Sequence, residues 1–94
     1  MLESHIERKF RLRAAQNNIL ALKQEIKGKK GYPDRLCLKN NGTVFYVELK
    51  RIEGTLSEHQ IEKIDFLKKM GFRVYVPFTL EEAYKIIATE VLIK

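Results

Sequence analysis

The chain reads as an α/β domain with the element order αβββαβα, and three observations predict it. Apolar residues recur at helical spacing in three separate stretches: near the start, after Ser57 and after Thr79. Three short strand-like runs lie between the first two of these stretches, and a fourth precedes the last. Asn, Gly and Pro fall between the periodic stretches rather than inside them.

The first helix is expected over 2–16, where Leu2, Ile6, Phe10 and Ala14 share one side and the pair Asn17-Asn18 offers a stop. A strand follows over 19–26. The segment Lys27-Gly28-Lys29-Lys30-Gly31 then reads as a basic loop closed by Tyr32-Pro33. Residues 35–39 and 43–50 form the clearest hairpin, because Asn40-Asn41-Gly42 tolerates the positive φ of a tight turn. Ser57 opens a second helix with the capping pattern Ser57-Glu58-His59-Gln60; Ile61, Ile64 and Leu67 make its apolar stripe and Gly71 closes it. Residues 72–76 are a further strand ended by Pro77. Thr79 with Glu82 then reads as a capping box ahead of a helix over 80–90. With no internal repeat, low-complexity tract or linker, residues 1–94 are expected to form one domain.

The composition narrows the function classes. An apolar fraction of 45% with 32% charged residues belongs to a folded globular chain, not to a disordered or fibrous one. No apolar run reaches the length of a membrane span, and the charged amphipathic start is unlike a secretion signal, so the expected place is the cytoplasm where the chain is made. The single cysteine, Cys37, excludes an internal disulfide and is expected to be a buried thiol. A net charge of +6, with Lys27, Lys29 and Lys30 in one segment, makes a polyanion the natural partner, although basic surface also serves solubility.

The chemistry gathers around the hairpin. Side chains alternate along a strand, so Glu48 and Lys50 share a face while Leu49 points to the other. If Gly42 takes the left-handed position of a three-residue loop 40–42, Lys39 faces Thr43 and the register carries Asp34 opposite Glu48. Directly opposed residues have Cβ atoms about 4.5 to 5.5 Å apart, a separation at which two carboxylates repel unless a cation lies between them. All-oxygen ligands favour Mg²⁺ or Mn²⁺, and the carbonyl of Leu49 is a further candidate ligand. Such a site suits phosphodiester hydrolysis, with Lys50 orienting the attacking water or neutralising developing charge. The first helix supplies a third acid. Glu3 is preferred to Glu7 because it lies at the helix start near the core edge, against the plain alternative of an acid favoured by the helix N-terminus.

These residues resemble the PD-(D/E)XK nuclease superfamily, and within it the virus-type replication-repair nuclease (VRR-NUC) domain. The resemblance rests on Gly31-Tyr32-Pro33-Asp34, on Glu48-Leu49-Lys50-Arg51, on Leu56-Ser57 leading to Gln60, and on Glu3. It implies a restriction-endonuclease-like αβββαβ core, in which a mixed sheet is flanked by helices, with the last helix as an extra C-terminal element. It also implies metal-dependent cleavage of structured DNA: Asp34 and Glu48 as ligands, Lys50 as the catalytic lysine, Glu3 in support and Gln60 near the site. Stand-alone members of the family look like homodimers acting on four-way junctions, and similar compact forms are typical of phages, which would place the chain in a host cytoplasm or nucleoid. A near two-fold junction cut in pairs suits a two-fold dimer of single-site subunits. Tyr32 departs from the pattern, since a smaller aliphatic residue usually precedes the Pro-Asp pair.

Gln60 carries a second reading, as the third helical residue closing a capping box. Lys29, Lys30, Arg35 and Arg51 flank the site and are expected, as a group, to grip phosphates. His5 and His59 lack companions at ligand spacing and are read as surface or capping residues. The rival to an enzyme is a non-catalytic nucleic-acid-binding module, junction- or RNA-associated, in which the acids merely pair with lysines. A protein-interaction subunit is a third class.

Overall fold

The computed structural model describes residues 3–50 and 54–93 and has the expected order: α1 (His5–Gln16), β1 (Ile19–Lys23), β2 (Arg35–Lys39), β3 (Val44–Val47), α2 (Glu58–Lys69), β4 (Val74–Tyr75) and α3 (Leu80–Leu92). The four strands form one mixed sheet in the order β1-β2-β3-β4. The first three strands are antiparallel, and β4 joins β3 in parallel after α2 has crossed over.

Local chemistry sets where the helices begin. Ser4 caps α1 in a closed box with Glu7, so the helix starts at His5; Leu2, named in the expected apolar stripe, lies outside the described residues. Ser57 caps α2 in the same way with Gln60. At α3 the Thr79 hydroxyl accepts from the Glu82 amide, but the Glu82 carboxylate reaches back to the Phe78 amide and the Thr79 hydroxyl, so the expected box closes one residue further out.

The strands are shorter than their apolar runs. The strand expected over 19–26 ends at Lys23, and the one expected over 72–76 is reduced to Val74–Tyr75, which among the described residues has only β3 as a neighbour. Beyond Val47 the chain still follows β4, since the amides of Glu48 and Lys50 donate to the carbonyls of Tyr75 and Pro77. The turn is as expected: Gly42 has φ +85°, and the Lys39 amide donates to the Thr43 carbonyl at 2.9 Å.

The core divides by sheet face. On one face Phe10 and Ala14 of α1 and Ala83, Ile86 and Ile87 of α3 pack on Ile19, Ala21, Cys37, Phe45 and Val47. The opposite face carries a smaller cluster, Ile64 and Leu67 of α2 with Val74, joined by Tyr32, Tyr46 and Phe72. Cys37 is buried as expected, and burial pushes its thiol up to about 12, where it is inert at neutral pH.

Candidate active site

The hairpin register is the foundation of the site. Arg35 pairs with Val47 and Leu38 with Val44, so one step further down the ladder Asp34 stands opposite Glu48. A hydrogen bond marks the meeting: the Asp34 amide donates to Glu48 Oε1 at 3.2 Å. Alternation places both residues on the α2 face of the sheet, at the end of β3.

Two carboxylates in this setting resist ionisation. Burial and then the charge of Asp34 push Glu48 up to about 7, against the pull of Lys50, whose Nζ lies 3.7 Å from Glu48 Oε2. Asp34 is also raised, by burial and then by the charge of Glu7. Its Oδ1 is buried and has no hydrogen-bond partner, an arrangement that costs free energy unless something electropositive meets it.

Gln60 realises both of its readings at once. Its Oε1 accepts from the Ser57 amide and closes the capping box, which leaves the amide nitrogen turned to Glu48 Oε2 at 3.4 Å. The cap therefore aims the side chain. Leu49 packs its side chain against the larger core. Because the amides of Tyr46, Glu48 and Lys50 are engaged by β4, the main-chain groups of Leu49 point the other way, toward the strand that carries Asp34.

Glu3, just before the Ser4 cap of α1, and Glu7, in its first turn, face different partners. Glu3 is gripped by Arg11 Nε and Nη2 at 2.9 and 3.0 Å and by Arg35 Nη2 at 2.8 Å. Arg11 first, then Arg35, hold its carboxyl down at about 2 despite partial burial. Glu7 is the helix acid whose charge reaches Asp34. It also lies within ion-pair range of Lys23 and Arg35, at 3.6 and 3.7 Å.

Arg35, expected among the phosphate-gripping side chains, is 1% exposed and faces the core. Its Nη1 donates to the Ala21 carbonyl and its Nη2 to Glu3, so the guanidinium ties α1 to the sheet instead of meeting solvent. Lys29 and Lys30 are exposed on the loop before the site, while Arg51 lies outside the described residues. That loop is seated on the start of α2: Gly31 has φ +92°, and a Cβ there would collide with the backbone of His59. His59 and His5 are themselves exposed. Tyr32 packs with the smaller cluster, and the ammonium of Lys63 sits 5.5 Å from its ring centroid.

Two features escaped sequence reasoning. The buried role of Arg35 gave no signal, because its partner Glu3 is remote in the chain. Gln24 was also missed: its amide donates to the Asp34 carbonyl at 2.8 Å and its side chain to the Pro33 carbonyl at 2.7 Å. Its position inside the strand expected over 19–26 gave no sign of this, because it lies one residue past the end of β1, level with the Pro-Asp pair.

A mixed four-stranded sheet flanked by three helices, with an acid pair and a lysine at the end of the central hairpin, defines a nuclease-type α/β fold. The VRR-NUC domain profile matches residues 1–77, and the chain belongs to that family. A solved structure described as a VRR_NUC domain is similar to it with a TM-score of 0.84 at 24% identity, covering 92% of this chain and 94% of that one, a likeness in fold. No curated protein matches the chain. Helix α3 lies beyond the matched residues.

Proposed function

We propose that the chain is an Mg²⁺- or Mn²⁺-dependent DNA endonuclease that hydrolyses phosphodiester bonds in structured DNA, acting on four-way junctions as a homodimer. The observation that carries this reading is the juxtaposition of Asp34 and Glu48, half-buried and buried respectively, with Lys50 beside them and Asp34 Oδ1 lacking a partner. An orphaned carboxylate oxygen next to a second acid is a donor set that suits a hard divalent cation. Among the described residues no three His, Cys, Asp or Glu side chains converge, so Asp34, Glu48 and the Leu49 carbonyl would hold the ion with water and phosphate oxygens completing its shell.

When bound, the cation supplies Lewis acidity at the phosphate and lowers the pKa of a coordinated water. The protein's own part is positional and electrostatic. Gln60 fixes one oxygen of Glu48 while the Asp34 amide fixes the other. Lys50 brings an ammonium to the same face, where it neutralises charge developing on the phosphate. Lys29, Lys30 and Arg51 are assigned to backbone phosphates, and Glu3 supports the site indirectly by anchoring α1 through Arg35.

The homodimer has a candidate surface. Leu20 and Leu22 of the edge strand β1 are 55% and 40% exposed and pair across the strands with Leu38 and Leu36, on the face that α2 leaves bare toward β1. Asp34 shares that face by alternation, so a second copy packed there places two sites on one assembly.

The reading is tested with a panel of junction, flap, nicked and linear DNA at fixed salt in Mg²⁺ or Mn²⁺. Junction cleavage is expected, and intact substrates throughout the panel would overturn it. A non-catalytic nucleic-acid-binding module remains the second reading, favoured by the contact between Lys50 and Glu48, which is what an ordinary ion pair would show. Salt-sensitive DNA binding with no cation effect would establish it.

A further inference from the structure

Asp34 can meet Glu48 only if the main chain that carries it is held still, and that chain is awkward to hold. Pro33 has no N–H and is fully buried, so its carbonyl is a buried acceptor that needs a donor. The carbonyl of Asp34 is the next acceptor along. Gln24 serves both, through its side-chain amide at 2.7 Å to Pro33 and its main-chain amide at 2.8 Å to Asp34. The Asp34 amide is taken on the other side by Glu48. The peptide bearing the acid is thus clamped between the end of β1 and the partner carboxylate.

Among the described residues, Gln24 is the donor recorded to both carbonyls. The last paired residues of β1 and β2 are Lys23 and Arg35, and beyond Gln24 the chain runs into the exposed segment 25–30. Only the main-chain bond would survive loss of the side chain, leaving the Pro33 carbonyl buried and unpaired.

We infer that Gln24 is a positioning residue for the candidate cation site, setting Asp34 relative to Glu48 through the Pro33 and Asp34 carbonyls. The inference rests on the cation reading above. It predicts a specific chemical requirement: an N–H donor at the end of side chain 24. Glutamate has the same shape but, ionised, can only accept, and it would set a carboxylate against a carbonyl oxygen. Outer partners of this kind tune affinity for an ion they never touch.

The experiment is an Mn²⁺ titration of the intact chain by calorimetry at 15 °C, a temperature chosen on the order of tens of degrees below an ordinary domain melting point, with circular dichroism confirming the fold of each variant. Wild type, Gln24→Glu and Gln24→Ala are compared. Both variants are expected to raise the Mn²⁺ dissociation constant by about tenfold, an effect that a purely structural role would not produce in a folded sample. Where wild type binds and both folded variants bind equally well, the role of Gln24 is overturned and the cation reading stands. Where wild type fails to bind Mn²⁺, the cation reading falls and this inference with it. Should either variant fail to fold, the readout moves to wild type, whose Gln24 side-chain amide resonances are expected to shift as diamagnetic Mg²⁺ is added; unmoved resonances overturn the inference.

Discussion

Glu48 and Asp34 are acids that the fold makes harder to ionise, and this has a consequence with a definite sign. Glu48 is held at about 7, against an ordinary value of 4.5, chiefly by burial and by the charge of Asp34. Between those two values the folded protein binds more protons than the unfolded chain, so stability falls as pH rises from about 4.5 to about 7. The lowered acids do not mask this, because Glu3 at about 2 has given its full contribution once pH exceeds 4.5. Metal-free protein is therefore expected to melt several degrees lower at pH 7.5 than at pH 5, and Glu48→Gln to flatten that dependence. A melting temperature that rises over this window would contradict the burial of the pair. Millimolar Mg²⁺ or Mn²⁺ is expected to restore stability at pH 7.5, because a cation held as proposed would bind the ionised pair in the fold alone, and Asp34→Asn to abolish the restoration. Lys50 is tested by rate instead: Lys50→Ala is expected to cut junction cleavage by about 100-fold or more while leaving junction binding in Ca²⁺ within about threefold. Equal loss of both would make the lysine a binding residue.

At the scale of elements, the charged residues of β2 sit on the core face with Cys37 between them, and the two ends of the strand are tied to different helices. Arg35 holds α1 through Glu3. Lys39 holds α3, donating to the Glu90 and Ile93 carbonyls at 2.7 and 2.8 Å and to Glu90 Oε1 at 3.2 Å. Glu90 is fully buried and also accepts two bonds from Arg73 and one from the Tyr75 hydroxyl. Removing one member of such a cluster strands the others, so Glu90→Ala is expected to lower unfolding free energy by about 3 to 5 kcal/mol, read from urea midpoints. A loss below about 1 kcal/mol would mean that the cluster is solvated. The same strand shows what was legible beforehand. The span of β2 and the opposition of Asp34 and Glu48 followed from three turn residues, 40–42, because a hairpin register is a local property. The burial of Arg35 and Lys39 was illegible, since charges alternating with apolar residues read as a solvated face until Glu3 and Glu90, both distant in the chain, arrive to pair with them. Glu3 precedes the Ser4 cap of α1, and its partners Arg11 and Arg35 could not be seen from helical spacing alone. The short span of β4 belongs to the same class of non-local facts, because among the described residues only β3 pairs with it.

At the scale of the whole molecule, the two proposed surfaces, for DNA and for a second copy, are expected to respond oppositely to salt, and that opposition separates them experimentally. A net charge of +6 and the exposed lysines of the loop 27–30 act over the Debye length, so DNA affinity is expected to fall by about a thousandfold between 50 and 200 mM salt if six or more phosphates are contacted. The bare sheet face is apolar, and burying it in a dimer brings together two molecules of like charge. Added salt screens that repulsion while leaving the apolar contact intact. Sedimentation is therefore expected to show a dimer that persists or tightens over the same range in which DNA binding weakens. Leu22→Glu places a charge in the middle of the proposed contact, next to its copy across the two-fold axis, and is expected to yield a folded monomer. Because Asp34, Glu48 and Lys50 are untouched, that monomer should still nick one strand of a junction but lose the paired cuts of resolution. A Leu22→Glu protein that sediments as a dimer would move the interface elsewhere on the chain, and a monomeric one that still makes paired cuts would show that two copies meet on the DNA rather than beforehand.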